Sequence, residues 1–431
     1  MVEDRRVGGT CLHRGCIPAK EMLQTAEVLR TVSGAAEFGV VAGPPSLDLA
    51  AAQERKQSIV DRLTGGLEQL LRGRKTTVLE GRGALVDGLG RVVRLDDGTE
   101  VTGAHVLIAT GSEPRALTGL DFDGERVLSS DHVLEMTAVP PRVAVVGGGA
   151  IGCEFASLLG DFGSEVTVVE VLPRILTGAD AQVAQVVARS FQKRGIAVNV
   201  GATVVGLDRG SSDVALRYEG ADGEGRVIVD SVVVSVGRRP RTDGAGLAES
   251  GIDLDGRGYV EVDGQMRTSV PGVYAVGDVV ATPQLAHVAF AEAILAVGTM
   301  LGEDPVPIDY EKVPWGIYCR PEVAFCGLTE EQARGRGLEV ETSVHRFAGN
   351  SRALVIGETE GLVKLVAEKD GPLLGVHIAG PWATELIAEG YLAVNWEASA
   401  ADLAALVHAH PTLSELIGES AMALAGRTLH G

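Results

Sequence analysis

Two cysteines, Cys11 and Cys16, lie five positions apart in the stretch Gly8-Gly9-Thr10-Cys11-Leu12-His13-Arg14-Gly15-Cys16-Ile17-Pro18-Ala19-Lys20. In an unbroken helix such a pair is separated by roughly 7.5 Å of axial rise and falls on different faces. A disulfide needs Cα atoms about 4.4–6.8 Å apart. A Cys11–Cys16 bridge therefore requires an irregular first turn, and Gly8, Gly9, Gly15 and Pro18 are residues that provide for one. A bridge held in such geometry is easily reduced, which suits a working disulfide better than a structural staple. The residues alone leave a second reading open, two unpaired buried thiols, because Cys is a common core residue.

A second candidate stands near the other end of the chain, His408-Ala409-His410-Pro411-Thr412-Leu413-Ser414-Glu415. Two histidines precede a Pro-Thr turn, and a carboxylate follows. A carboxylate on one imidazole nitrogen fixes the tautomer and raises basicity, leaving the other nitrogen free for proton transfer. A metal site is an alternative, but two histidines without a third nearby ligand suit it poorly, and no metal is expected. A buried structural histidine is the remaining alternative.

The third candidate lies between them. Arg142-Val143-Ala144-Val145-Val146 reads as a buried strand, Gly147-Gly148-Gly149-Ala150-Ile151-Gly152 follows as a turn, and Cys153-Glu154-Phe155-Ala156 opens a helix. Gly-x-Gly-x-x-Gly in this setting permits a tight turn, close backbone approach to a pyrophosphate and close helix packing. The next strand, Glu165–Val169, ends at Glu170, 18 residues beyond Gly152. A carboxylate there accepts ribose hydroxyls and repels a 2′-phosphate, which favours NAD over NADP.

The wording Gly-Gly-Thr-Cys-x4-Cys-Ile-Pro-x-Lys closely resembles the redox-active stretch of the flavin-dependent pyridine nucleotide–disulfide oxidoreductases. Further motifs in the same order resemble that family. They are Ala109-Thr110-Gly111-Ser112, the run Thr268-Ser269-Val270-Pro271-Gly272-Val273-Tyr274-Ala275-Val276-Gly277-Asp278, and the His410–Glu415 segment. The resemblance implies oxidation of a dithiol, such as dihydrolipoamide on a carrier protein, with FAD as cofactor and NAD as acceptor. It makes Cys11 the thiol that exchanges with substrate and Cys16 the thiolate against the flavin. It makes His410 the acid/base with Glu415 as its partner, supplied by the other subunit of a homodimer, and leaves His408 structural. FAD contacts are then expected at Glu3, Lys20, Gly83, Thr110, Gly111, Ser112 and Asp278, and along the backbone of Gln284, Leu285, Ala286 and His287. NAD contacts are expected at Gly147, Gly148, Gly149, Ala150, Ile151, Gly152, Cys153, Glu154, Glu170, Val205 and Gly237. Cys153, Cys319 and Cys326 are expected to pack as small apolar residues.

The family pattern also has a strand, a glycine-rich turn and a helix ahead of Glu3, and here nothing precedes it. The expectation is an FAD-binding domain that is N-terminally incomplete, through a misplaced start, a fragment or a degenerate homologue. A flavin-free, NAD-binding remnant is therefore one alternative function. Another NAD(P)-dependent disulfide reductase is the second. The glutathione type usually prefers NADP, which Glu170 disfavours, and the mercuric type carries an extra C-terminal cysteine pair.

Positioning these groups takes more than one core, because 431 residues exceed what a single core holds. The expected architecture is α/β, with two Rossmann-like dinucleotide-binding domains and a C-terminal α+β dimerisation domain. Residues 1–138 would bind FAD, 139–260 NAD, 261–304 would return to the FAD domain, and 305–431 would dimerise. Helices are expected over 17–36, 48–74, 180–194 and 288–301. Long strands are expected over 101–109, 198–205 and 227–236. The net charge of −20 argues against a nucleic-acid partner or an anionic membrane surface. Five cysteines exclude a disulfide scaffold and suit a reducing compartment, so a cytoplasmic protein is expected, with no signal segment and no apolar run of about 18 residues.

Overall fold

The computed structural model describes residues 1–221 and 223–430. The chain gathers into two compact units, one of residues 1–22, 50–115 and 237–310, the other of residues 23–49, 116–236 and 311–431.

The first unit is built from short strands. Val2–Glu3 runs parallel to Leu79–Glu80, and Val106–Ile108 runs parallel to Val273–Ala275. Gly83–Asp87, Val92–Leu95 and Glu100–Thr102 form an antiparallel sheet of three strands. Its core gathers Leu85, Ile108, Leu247, Ile252, Val260, Val273 and Val279. The apolar helix Ala286–Met300 follows, two residues earlier than expected, because Leu285 is extended and ends the preceding loop.

In the second unit a parallel sheet of five strands has the order Ala197–Val200, Glu165–Glu170, Arg142–Val146, Ser231–Val234, Val127–Leu128. Its central strand, Val143-Ala144-Val145-Val146, is buried throughout, as a parallel strand covered on both faces must be. An antiparallel sheet of three strands, Thr203–Arg209, Val214–Gly220 and Gly223–Val229, is inserted before Ser231–Val234. Residues from Trp315 onward form an antiparallel sheet of five strands. Helices Ala383–Asn395 and Glu415–Leu424 supply Ile387, Leu416 and Ile417 to its core.

Several boundaries differ from expectation. Val127–Leu128 pairs with Val232–Val233, so the parallel sheet recruits chain from before residue 139. Residues 237–260 belong to the first unit, where Arg238–Pro240 pairs with Ser112–Pro114. The strand expected over 227–236 divides at Asp230, whose carboxylate accepts the Arg142 N–H at 2.9 Å. One half closes the inserted sheet and the other joins the parallel one. The strand expected over 198–205 divides at Gly201, where φ is +62°. The strand expected over 101–109 divides into Glu100–Thr102 and Val106–Ile108. Among the described residues no helix is long and apolar enough to cross a membrane.

One buried ionic cluster ties the second unit together. Lys364 is 2% exposed and Asp180 1%. The Lys364 ammonium donates to Asp180 Oδ2 at 2.9 Å and to Glu330 Oε2 at 2.7 Å, and Asp180 also accepts the Gln182 N–H that opens helix Ala181–Lys193. Burial works to raise the Asp180 pKa, but the ammonium and the amide outweigh it and hold the carboxyl below its ordinary value. A depressed carboxyl pKa stabilises the fold above the ordinary Asp value, and that contribution disappears as pH falls through the folded-state value. Removing one partner of such a pair costs about 3–5 kcal/mol, because the other charge is left buried alone. Lys364→Met should therefore lower the urea midpoint sharply at neutral pH. The gap to wild type should narrow as pH falls below the ordinary aspartate range, where Asp180 takes up a proton. Equal midpoints at neutral pH would show the cluster to be energetically idle.

Candidate active site

The cysteines sit on either side of a break between two helices. Gly9–Arg14 ends at Gly15, whose φ of −138° and ψ of −115° are non-helical, and Cys16–Gly34 begins immediately after it. A Cβ on Gly15 would stand 3.0 Å from the Thr10 carbonyl oxygen and 3.1 Å from Cys11 Cα, so the fold-back leaves little room for a side chain there. The break brings the half-buried thiols of Cys11 and Cys16 into hydrogen-bonding contact. That contact and burial push the Cys11 thiol far up, while the Lys20 ammonium opposes them. Lys20 is half-buried one turn beyond Cys16.

A polar group lies at the carboxyl ends of the first unit's strands. Gly277 follows Val273–Ala275 and Gly111 follows Val106–Ile108, each with a φ of +73°. Ser112 Oγ donates to Asp278 Oδ2 at 2.6 Å. Helix Ala286–Met300 belongs to the same unit, and no side chain caps its first turn. Gln284 Nε2 donates to the Tyr259 hydroxyl at 3.3 Å, Leu285 and Ala286 open the helix, and His287 is exposed. Thr110 is exposed, and Gly83 begins its strand with Val2 Cγ1 3.0 Å from where a Cβ would stand. Glu3 closes the strand Val2–Glu3 and accepts the Arg5 N–H at 3.1 Å, and burial raises its pKa.

In the second unit Gly147-Gly148-Gly149 turns between Arg142–Val146 and helix Ala150–Asp161. A Cβ on Gly152 would stand 1.9 Å from the Gly147 carbonyl oxygen, which no side chain could tolerate. Ile151 follows Ala150 in the first turn. Glu170 ends its strand, and its carboxylate accepts the Gly148 N–H and, at 2.7 Å, the Leu172 N–H. Cys153 donates to the Gly148 carbonyl at 3.3 Å, and burial pushes its thiol well up, so it packs as expected. Cys319 and Cys326 are also buried. Glu154 is buried and accepts the Tyr318 N–H at 2.9 Å. Val205 is exposed beside an irregularity of register in its strand. Gly237 falls in the first unit instead, with its carbonyl accepting the Arg115 N–H at 3.1 Å.

His410 Nδ1 lies 2.8 Å from Glu415 Oε1, and Glu415 Oε2 accepts the Thr412 N–H at 2.7 Å. Burial works to raise the Glu415 pKa, but the amide and His410 outweigh it and hold the carboxyl below its ordinary value. The His410 side chain is 70% exposed, so its second nitrogen faces outward from the pair. His408 instead pairs its Nε2 with Glu389 Oε1 at 2.7 Å. Its ring lies against Gly418, where a Cβ would meet His408 Nδ1 at 2.5 Å.

The pyridine nucleotide-disulphide oxidoreductase profile matches residues 1–293, and the dimerisation domain of the same family matches residues 313–421. The chain belongs to the pyridine nucleotide-disulphide oxidoreductase family. It is similar to a dihydrolipoyl dehydrogenase of Bacillus subtilis, 39% identical over 444 residues that cover 100% of this chain and 93% of that protein. A dihydrolipoyl dehydrogenase of Thermus scotoductus is 40% identical over 434 residues, covering 100% of this chain and 92% of that one. Among solved structures, LpdA of Mycobacterium tuberculosis superposes with a TM-score of 0.90 at 28% identity, covering 98% of this chain and 93% of that one.

The cofactors of this family are FAD and NAD, and the residues present fit both. No described residue donates to Asp278 Oδ1, which leaves an acceptor beside an uncapped helix N-terminus. On the NAD side the turn has no Cβ where a pyrophosphate must approach, and Glu170 presents a carboxylate beside Gly148.

Sequence reasoning misses three supporting residues. Glu292, fully buried on an otherwise apolar stretch of helix, accepts the Gly277 N–H at 2.6 Å and the Tyr310 hydroxyl at 3.0 Å. A lone acid among apolar residues is the signal for it. Arg238 donates to both Ser112 Oγ and the Ser112 carbonyl. Glu389 orients His408 and carries no local signal at all.

Glu170→Ala should raise the KM for NAD about tenfold, the usual worth of one hydrogen bond to a charged group, with the dithiol KM unchanged. Steady-state kinetics with each substrate varied in turn check this. An unchanged KM for NAD would remove Glu170 from the site.

Proposed function

We propose that this chain is a dihydrolipoyl dehydrogenase, which oxidises a dithiol through Cys11 and Cys16 and delivers the electrons to NAD. The observation that carries the reading is the thiol contact across the Gly15 break. Relatives of that name that cover the full chain support it. In this reading the first unit binds FAD and the turn at Gly147–Gly152 binds NAD. The dimerisation domain supports a homodimer, and we infer that His410 of one protomer serves the cysteine pair of its partner. The substrate is then a lipoyl carrier protein or a small dithiol, handled in the cytoplasm.

The chemistry begins with the Cys11–Cys16 disulfide. One substrate thiolate attacks Cys11 Sγ, forming a mixed disulfide and releasing Cys16 as a thiolate. The second substrate thiolate attacks the substrate sulfur of that mixed disulfide, closing the substrate's own disulfide and freeing Cys11. His410 takes up the substrate protons, since thiolates rather than thiols are the nucleophiles, and Glu415 holds its ring in place and stabilises the charge. Lys20 places a positive charge near the pair, which favours the thiolate form. FAD held at Ser112, Asp278 and the first turn of helix Ala286–Met300 would supply the redox centre between the cysteine pair and NAD.

Turnover of dihydrolipoamide with NAD tests the proposal directly, and a flavoprotein inert to dihydrolipoamide would overturn it. His410→Gln should slow dithiol turnover by about two to four orders of magnitude with flavin content unchanged. A mild effect would make His410 structural. Cys16→Ser should abolish the long-wavelength absorbance of the two-electron-reduced enzyme, and a surviving band would reverse the roles of the two cysteines.

A further inference from the structure

Arg238 is the cation nearest to the acceptor that the flavin reading depends on. Its side chain is only 12% exposed, and that of Asp278 is 25% exposed. Arg238 Nε donates to Ser112 Oγ at 2.6 Å, and Arg238 Nη2 donates to the Ser112 carbonyl at 2.9 Å. Ser112 Oγ has one proton and donates it to Asp278 Oδ2 at 2.6 Å. Arg238 Nε also stands 3.7 Å from Asp278 Oδ2, an ion-pair separation rather than a direct hydrogen bond.

The direction of each bond is therefore fixed. A guanidinium has only donors, so the hydroxyl must accept from Arg238 and has its proton left for Asp278. The relay engages Asp278 Oδ2 alone. Oδ1 receives no hydrogen bond from any described residue. From the other side of the turn, Glu292 holds the Gly277 N–H at 2.6 Å, which fixes the backbone that carries Asp278. The carboxylate is thus locked in rotation, with one oxygen satisfied inside the protein and the other offered outward.

We propose that Arg238 is a positioning residue for flavin binding, acting through Ser112 to hold the Asp278 carboxylate turned so that Oδ1 accepts a hydroxyl of the cofactor's sugar-alcohol chain. This rests on the reading of Asp278 as a flavin contact. The arginine is well suited to the task. Its forked geometry takes the hydroxyl and the carbonyl of one residue together, which a lysine ammonium on a flexible stem does not reproduce. The pairing of Arg238–Pro240 with Ser112–Pro114 sets the two residues side by side on the backbone.

The test is FAD affinity of the deflavinated full-length protein, read by quenching of flavin fluorescence on titration, for wild type, Arg238→Met, Arg238→Lys, Asp278→Asn and the Arg238→Met/Asp278→Asn double variant. Circular dichroism and NAD affinity of each protein serve as the measure of fold. Arg238→Met should weaken FAD about 10- to 100-fold with NAD affinity unchanged, as expected for a lost charge-assisted hydrogen bond. Arg238→Lys should recover only part of that loss. The double variant should be little weaker than Asp278→Asn alone, because both changes act on one acceptor. Folded Arg238→Met with wild-type affinity, beside a weakened Asp278→Asn, would overturn the role of Arg238 and leave the flavin reading standing. Undiminished affinity in Asp278→Asn, or a wild-type protein that takes up no FAD, would overturn the flavin reading itself. If Arg238→Met does not fold, Arg238→Lys decides, and wild-type affinity there overturns the proposal.

Discussion

Parallel strands covered on both faces have no room for polar chemistry along their length, so it collects where they end. The constraint is strictest in the second unit, and the first unit gathers its polar groups at strand ends too, although Leu107 of Val106–Ile108 is 37% exposed. Val273–Ala275 ends at Gly277 and Asp278, Val106–Ile108 ends at Gly111 and Ser112, and Arg142–Val146 ends at Gly147. Each turn must leave the sheet at once, and the ligand groups of an open α/β sheet gather at those carboxyl ends. The severest case is Gly152, where the helix returns so close to the turn that only a residue without a Cβ fits against the Gly147 carbonyl.

The cysteine pair solves a different problem with the same residue. A continuous helix would carry Cys11 and Cys16 apart, and the non-helical backbone at Gly15 folds one short helix against the start of the next. The thiols then meet without help from distant chain. The pair proposed to handle protons is also local, since His410 and Glu415 are joined across one turn and Thr412 anchors the carboxylate. Exposure of the imidazole is compatible with the proposed role, in which it reaches a thiol outside its own segment. Its neighbour His408 has the opposite character, with its ring held by Glu389 and packed over Gly418.

Charge is managed pair by pair rather than by the net value of −20. The groups that matter are buried with a specific partner. Lys364 faces Asp180 and Glu330, Arg194 faces Asp161, and Arg238 reaches Asp278 through Ser112. In each case the low-dielectric setting makes the paired geometry valuable and the unpaired alternative costly. The acidic surplus is spread over the surface and says little about the site.

The sequence by itself determined what depends on residues close together along the chain. The Cys-x4-Cys spacing with its glycines, the Gly-x-Gly-x-x-Gly turn with Glu170 after it, the Gly277-Asp278 turn and the His410–Glu415 pair are all local. Their physics, backbone conformation at glycine and hydrogen bonds across one turn, needs no distant partner. The α/β class and the doubled dinucleotide-binding pattern follow from the same local signals repeated along the chain. Only the tertiary structure decided the groups that support them. Arg238 and Ser112 are 126 positions apart, Ser112 and Asp278 are 166 apart, and Lys364 and Asp180 are 184 apart. It also decided that residues 237–260 belong with the first unit and that Val127–Leu128 completes the parallel sheet of the second. Strand order and side-chain pairing are set by which surfaces can be buried together, and a stretch of chain carries no record of what it will meet.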